Sequence, residues 1–172
     1  GTAALARDAR GAVAAQGAGF ATDTYVTNSG LLIPSFSMQA GMVFMWTISA
    51  SKTAASTATP VYTVRIGANQ TTGDTSRLAI TGPAQTAAAD VGLLTILVTV
   101  RNVGASGVIQ GTVNWSHNGA AAGFANNDSG SVEASSAAFD NSALAGSYVG
   151  LSINGGTASA WTLTQCVGEM SC

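Results

Sequence analysis

The chain has 172 residues, of which 8% are charged, and its formal net charge is −2. Its six basic residues are scattered, whereas nucleic-acid binding usually needs a clustered basic face, so no nucleic-acid partner is predicted. The longest apolar run, from Leu93 to Val100, is interrupted by threonine and followed by Arg101, so the sequence predicts no membrane helix.

The low charge also bears on how the protein is used. Ordinary soluble domains carry about 25% charged residues, and a free monomer usually relies on surface charge for solubility. A charge-poor surface therefore favours a subunit that packs among many others. The alternative is a merely neutral exterior, in which Ser, Thr, Asn and Gln supply the polarity.

Residues 1–22 differ in composition from the rest of the chain. Alanine and glycine dominate, and one thin apolar helix face is available at Leu5, Ala9, Ala12 and Val13. Interspersed glycines would weaken such a helix by about 1 kcal/mol each. The segment is either a disordered terminus or an arm that orders on a neighbouring subunit. The candidate contacts of such an assembly arm are Leu5, Arg7, Arg10, Val13 and Phe20.

A β domain is predicted over residues 23–172. Strand-like patterns begin at 22–28 and continue at 31–33, 42–50, 60–67 and 76–81. A long Ser/Thr/Ala loop at 51–59 separates two of them.

The clearest pattern in the sequence runs from Gly92 to His117. Leu94, Ile96, Val98 and Val100 alternate with other residues at the two-residue period of a strand that has one buried face. A Gly-rich turn at 102–107 follows, and the alternation then resumes. We predict a long antiparallel hairpin here.

The C-terminal third contains weaker strand signals. A Gly/Asn-rich loop at 118–130 leads to strand-like segments at 131–139, 147–154 and 158–170. The turn signal Asn154-Gly155-Gly156 predicts that the last two strands form a second hairpin. About 8–10 short strands without an interior helix indicate an all-β, jelly-roll-like antiparallel β-sandwich.

Residue patterns for catalysis or metal binding are weak. His117 is the single histidine and has no neighbouring Asp or Cys pattern. A carboxylate pair such as Glu133 and Asp140 is conceivable, but most Asp residues lie at turns. The segment 126–131 offers oxygen ligands for Ca²⁺, although an ordinary turn is the stronger interpretation. The sequence therefore predicts no enzyme, no cofactor and no metal site.

Cys166 and Cys172 lie close together at the C-terminal end. They are either free thiols or form a disulfide, within one chain or between two. In the interchain case, Cys172 would lock an assembly covalently.

A small pool of aromatic side chains could stack on sugars if exposed. Their strand positions predict that most of them pack in the core instead. The pool is Tyr25, Trp46, Tyr62, Trp115 and Trp161.

The body from about residue 22 to residue 170 resembles a family of phage and prophage virion proteins, found as head-decoration, head-fibre or tail-fibre domains. The resemblance lies in KTAASTATPVYTVRIGANQTTGDTSRLAI (52–80), PAQTAAADVGLLTILVTVRNVGASGVIQGT (83–112), HNGAAAGFANN (117–127) and GSYVGLSINGGTASAWTLTQ (146–165). The opening GTAAL is also similar to the lead-ins of phage fibre proteins. The family's motifs are structural and supply no active-site residues, and the two cysteines are not part of its pattern.

The resemblance implies a β-sandwich, a homotrimer and a place in the phage particle after assembly in the host cytoplasm. The leading expectation is a non-enzymatic capsid decoration or head-fibre protein that binds the major capsid protein. The alternative is a tail- or collar-fibre domain that binds a host-surface glycan through the loops 51–59 and 118–130.

Overall fold

The computed structural model describes residues 8–11, 15–17, 19–55, 57–117, 123–125, 131–156 and 161–172. All regular secondary structure in this described part is β-strand, and none of it is a helix that could span a membrane. The strands are β1 (Asp8–Gly11), β2 (Gln16–Gly17), β3 (Thr24–Tyr25), β4 (Leu31–Leu32), β5 (Val43–Lys52), β6 (Val61–Gly67), β7 (Thr75–Thr81), β8 (Asp90–Asn102), β9 (Val108–His117), β10 (Ser131–Ser135), β11 (Tyr148–Asn154) and β12 (Trp161–Ser171).

The strands form two packed antiparallel sheets, which confirms the predicted β-sandwich. Sheet I has the order β1-β12-β5-β8-β9-β10, and β2 also pairs with β12. Sheet II has the order β3-β11-β6-β7, and β4 also pairs with β11. Strand β5 leads along the chain into β6, and β11 leads into β12. The neighbouring strands β5 and β12 of sheet I are thus continued by the neighbouring strands β6 and β11 of sheet II.

The predicted central hairpin is confirmed. Strands β8 and β9 pair from Gly92 opposite His117 to Asn102 opposite Val108. The alternating residues Leu94, Ile96, Val98 and Val100 of β8 are buried, and they face sheet II.

The predicted C-terminal hairpin is wrong. Strand β11 pairs with β6 in sheet II, whereas β12 pairs with β5 in sheet I. The turn signal at Asn154-Gly155-Gly156 therefore marks a crossing between sheets. The chain just after β11 is held instead by Gly155, whose N–H donates to the Phe20 carbonyl at 2.7 Å.

The core lies between the sheets and includes most of the large aromatic side chains. Trp46, Tyr62 and Trp161 are fully buried, and Trp115 is 8% exposed. The predicted core role of these four residues is thus confirmed. Trp46 also ties the sheets to the loop before β4, because its Nε1–H donates to the Ser29 carbonyl at 2.7 Å.

Residues from the 1–22 segment take part in this sandwich. Strand β1 pairs with β12, so the helix interpretation is wrong for Asp8–Gly11. An unpaired edge strand offers backbone partners that override alanine's helix preference. Phe20 is fully buried in the core.

The other predicted arm contacts are not resolved by these observations. Leu5, Arg7 and Val13 lie outside the described residues, as does the side chain of Arg10. Contact of this segment with a neighbouring subunit stays a prediction, as does the boundary at residue 22.

Gly111 allows the two sheets to approach closely. A Cβ at this position in β9 would lie 2.7 Å from both Leu78 Cδ2 and Ile80 Cδ1 of β7. We expect Gly111→Val to lower the free energy of unfolding by about 1–3 kcal/mol, because overpacking forces strained side chains or sheet displacement. Chemical denaturation measures this change. The control is Gly17→Val, where a Cβ meets nothing closer than 3.6 Å; equal losses in both variants would contradict the account.

Candidate functional site

The outer face of sheet I carries exposed aliphatic side chains. Because β8 buries one set of alternating residues, it directs the other set outward, and Val91, Leu93 and Leu97 are 57%, 41% and 37% exposed. Leu97 lies between Met45 on β5 and Thr112 on β9. We define the aliphatic face as the outward residues Val43, Met45, Val91, Leu93, Leu97 and Val167.

Charge is confined to the margins of this face. In the row of paired residues that contains Leu97, Glu169 lies on one side in β12 and Glu133 on the other side in β10. The residues around Leu93 are the neutral Ser49 and Ser116. The centre of the face is thus apolar or hydroxylic.

The outer face of sheet II, on the opposite side of the sandwich, carries a polar groove of about 560 Å³. Two segments distant in sequence form its walls: one around β3 and one in the β6–β7 turn. The polar groove is lined by Asp23, Thr24, Tyr25, Thr27, Asn28, Gln70, Thr71 and Thr72.

Arg65 lies beneath the polar groove, on the sheet side, and stabilises its walls. Its Nε–H donates to Ser152 Oγ at 2.7 Å, and Nη1 donates to the carbonyls of Thr72 and Asp74, both at 2.8 Å. Its Nη2 forms an ion pair with Asp23 Oδ2. One guanidinium therefore links both walls of the groove to β11.

Asp74 shapes the second wall. Its carboxylate accepts hydrogen bonds from the N–H groups of Asn69 at 3.1 Å and Gln70 at 2.7 Å. Gln70 has a φ of 54°, and Asn28 on the opposite wall has a φ of 61°. Both residues hold the left-handed conformation that few non-glycine residues adopt.

Tyr25 is the member of the aromatic pool that reaches the surface. Its hydroxyl lies over Gly150, where a Cβ would be only 1.8 Å from Tyr25 Oη. Burial raises the pKa of the Tyr25 hydroxyl, and a hydrogen bond with Ser29 partly offsets this rise. The hydroxyl is therefore protonated and neutral at physiological pH.

The carboxylates considered for catalysis or metal binding are engaged locally. Asp140 accepts hydrogen bonds from the N–H and hydroxyl of Ser142, and Glu133 accepts one from Gln110 Nε2 at 3.3 Å. Within the described part of the chain, no three His, Cys, Asp or Glu side chains group as metal ligands. The side chain of His117 and most of the 126–131 segment lie outside it.

None of the described residues that line the polar groove belongs to the two loops expected to bind glycans. Loop 51–59 is anchored at its start by Lys52, whose Nζ donates to the carbonyls of Thr53, Thr86 and Ala88. Most of 118–130 lies outside the described residues. The sequence did not predict the groove as a binding site, because its turn residues, such as those of ANQTTGD (68–74), have the composition of ordinary turns.

No disulfide joins Cys166 and Cys172. Cys166 is buried within β12 and Cys172 is exposed just beyond it, so about 20 Å of extended chain separates them. A disulfide requires Cα atoms about 4.4–6.8 Å apart. An intrachain bridge does not fit this geometry, and an interchain bridge through Cys172 stays a prediction.

Burial raises the pKa of the Cys166 thiol from 9.0 to about 12. Because the folded-state pKa lies above the unfolded-state pKa, this thiol's contribution to stability is complete below pH 9. It is lost as the pH rises from 9 towards 12.

We expect a thiol reagent at pH 8 to label Cys172 in the native protein and to spare Cys166, because the buried thiol is both inaccessible and protonated. In denaturant both residues should react. Mass spectrometry of the digested protein locates the label. Equal labelling of both residues in the native state would show that β12 does not bury Cys166.

Comparison with known proteins assigns no family to this chain. No family model matches it, and no curated protein matches it. Among solved structures it is similar to arcelin-5, a lectin-like defence protein from Phaseolus vulgaris, at 6% sequence identity and a TM-score of 0.39, with 98% of this chain and 99% of that chain covered. At that TM-score the likeness carries no argument about function.

Proposed function

We propose that this protein is a non-enzymatic structural subunit of a phage particle that assembles as a homo-oligomer through the outer face of sheet I. The observation that carries the proposal is the aliphatic face, with Leu93 and Leu97 exposed at its centre. The phage context comes from the resemblance of the four sequence segments to virion proteins, and it extends to a capsid decoration or head-fibre role.

The composition of β8 supports a covered outer face. Strands buried on both faces have near-continuous apolar sequences, whereas strands with one solvated face alternate. From Leu93 to Val100 the residues of β8 are aliphatic or threonine, and packing against sheet II buries four of the six aliphatic residues but leaves Leu93 and Leu97 exposed. Exposed aliphatic patches of this kind mark interaction sites.

The energetics favour many contacts over one small contact. Covering the exposed part of a leucine contributes roughly 1 kcal/mol. Association costs about 4–15 kcal/mol in lost translational and rotational freedom. The aliphatic side chains alone do not offset that cost. A stable interface buries about 800 Å² per partner, so it must also include the surrounding Ser and Thr side chains.

A second copy of this chain is the partner that the charge distribution favours. The face has a neutral centre and offers no field of one sign that would select a strongly charged partner. Its marginal carboxylates, Glu133 and Glu169, lie on the same sheet as the exposed Arg101 at the end of β8. Two copies can therefore juxtapose opposite charges around an apolar centre. A trimer on the major capsid protein is the assembly that the resemblance implies.

In such an assembly the mechanism is mass action. A subunit that binds the intact particle but not its dissociated parts shifts the equilibrium towards the intact particle. Many modest contacts then add up to resistance against disruption.

We expect Leu93→Arg to shift the protein towards monomer, because each interface would bury an unpaired guanidinium. Val103→Arg is the matched control, since Val103 is 39% exposed in the β8–β9 turn, away from the aliphatic face. Sedimentation velocity over a concentration series measures the association of each variant.

Thermal unfolding of both variants shows whether they fold. If folded Leu93→Arg associates as strongly as the unmodified protein, the face is not the interface. A monomeric unmodified protein at all concentrations would also overturn the proposed self-association.

A further inference from the structure

We propose that the polar groove on the outer face of sheet II binds a neutral carbohydrate. This inference is independent of the assembly face, because the two features lie on opposite sides of the sandwich. It also assigns the binding site to residues 23–28 and 70–72 rather than to the loops expected from the sequence.

The groove lining has the chemistry that recognises sugar hydroxyls. Thr27, Thr71 and Thr72 supply hydroxyl groups that can both donate and accept hydrogen bonds, and Asn28 and Gln70 supply amides that can do the same. The hydroxyl of Thr24 donates to backbone carbonyls of Gly19 and Thr22, so towards a ligand it is an acceptor. Asn28, Thr71 and Thr72 are exposed, so their side chains are available to a ligand. Tyr25 adds an aromatic surface beside them.

The charges near the groove are already paired, which disfavours an ionic ligand. The Asp23 carboxylate faces the guanidinium of Arg65. The Arg65 side chain is 12% exposed and directs its N–H groups to Ser152, Thr72 and Asp74, so it has little capacity for a phosphate. Asp74 accepts backbone N–H groups of its own turn and is not oriented towards a cation.

The groove is preformed. Two facing residues, Asn28 and Gln70, are left-handed. The Asp74 carboxylate holds Gln70 by accepting its N–H at 2.7 Å, and Asn28 lies in a turn that the Ser29 N–H closes by donating to the Val26 carbonyl at 3.1 Å. Sparsely populated backbone conformations persist where surrounding contacts enforce them, and they cluster at binding sites. A preformed site loses little conformational entropy on binding, so even the few contacts of an open sugar site can give measurable affinity.

One polar atom of the groove wall has no hydrogen-bond partner within the described part of the protein. Asp23 Oδ1 is buried without a hydrogen bond, whereas Oδ2 is paired with Arg65. An unsatisfied buried acceptor is unfavourable. A ligand hydroxyl that reached this atom would supply the missing donor. The groove volume of about 560 Å³ is also typical of small-molecule sites.

The test is a titration of ¹⁵N-labelled protein, followed by NMR, with a panel of neutral methyl glycosides and short oligosaccharides of glucose, galactose, mannose and N-acetylglucosamine. Calcium chloride and inorganic phosphate are titrated separately. We expect saturable shifts of the amides of Thr24, Asn28, Thr71 and Thr72 with at least one sugar. Shifts with calcium or phosphate alone, shifts confined to other residues, or no shifts with any sugar would overturn the proposal.

Two variants test the groove side chains. Asn28→Gly removes the amide and retains a residue suited to positive φ, and Thr72→Ala leaves the carbonyl that accepts from Arg65. Each substitution should lower the affinity for the sugar that shifts the groove amides by about three- to tenfold. The matched control is Thr81→Ala, an exposed threonine at the far end of the β6–β7 hairpin.

Unchanged affinity in both groove variants, or an equal loss in Thr81→Ala, would contradict the site. The monomeric Leu93→Arg variant should bind the sugar as the unmodified protein does. This comparison separates a failure of the groove proposal from a failure of the assembly proposal.

Discussion

The two-residue period of β8 is the constraint on which the rest of the structure depends. A strand can direct only alternate side chains towards its own core, and β8 commits Leu94, Ile96 and Val98 to the space between the sheets. Its remaining aliphatic residues, Leu93 and Leu97 among them, must then face outward. A one-residue change of register would exchange the two sets and bury threonine in place of isoleucine. The exposed aliphatic face is thus a direct consequence of how the core is packed.

The two outer faces of the sandwich are chemically different. Sheet I presents aliphatic and hydroxyl side chains with carboxylates only at the margins, whereas sheet II presents a braced groove of hydroxyls and amides. Arg65 contributes to this difference, because its hydrogen bonds and its ion pair with Asp23 hold both groove walls against β11. A subunit that docks through sheet I leaves the groove of sheet II directed away from the interface. Attachment and ligand binding can therefore occur together on one small domain.

Features that depend on local periodicity were predictable from the sequence, and those that depend on distant contacts were not. The alternation from Gly92 to His117 predicts the β8–β9 hairpin because strand period and turn chemistry are both local. The turn signal at Asn154-Gly155-Gly156 identified a reversal but not the sheet that receives the next strand. Alanine-rich composition favoured a helix near Ala9, yet pairing with β12 made it a strand. The groove could not be predicted, because it arises only when folding brings Asp23 beside the 70–72 turn.

The central claim is that the outer face of sheet I is a subunit interface and the groove face is not. The most direct test is an electron cryo-microscopy reconstruction of the particles in which we propose that this chain assembles. The account predicts Leu93 and Leu97 packed against a neighbouring copy, with Asn28 and Thr72 open to solvent. A reconstruction in which the aliphatic face points to solvent, or in which the groove face forms the contact between subunits, would contradict it.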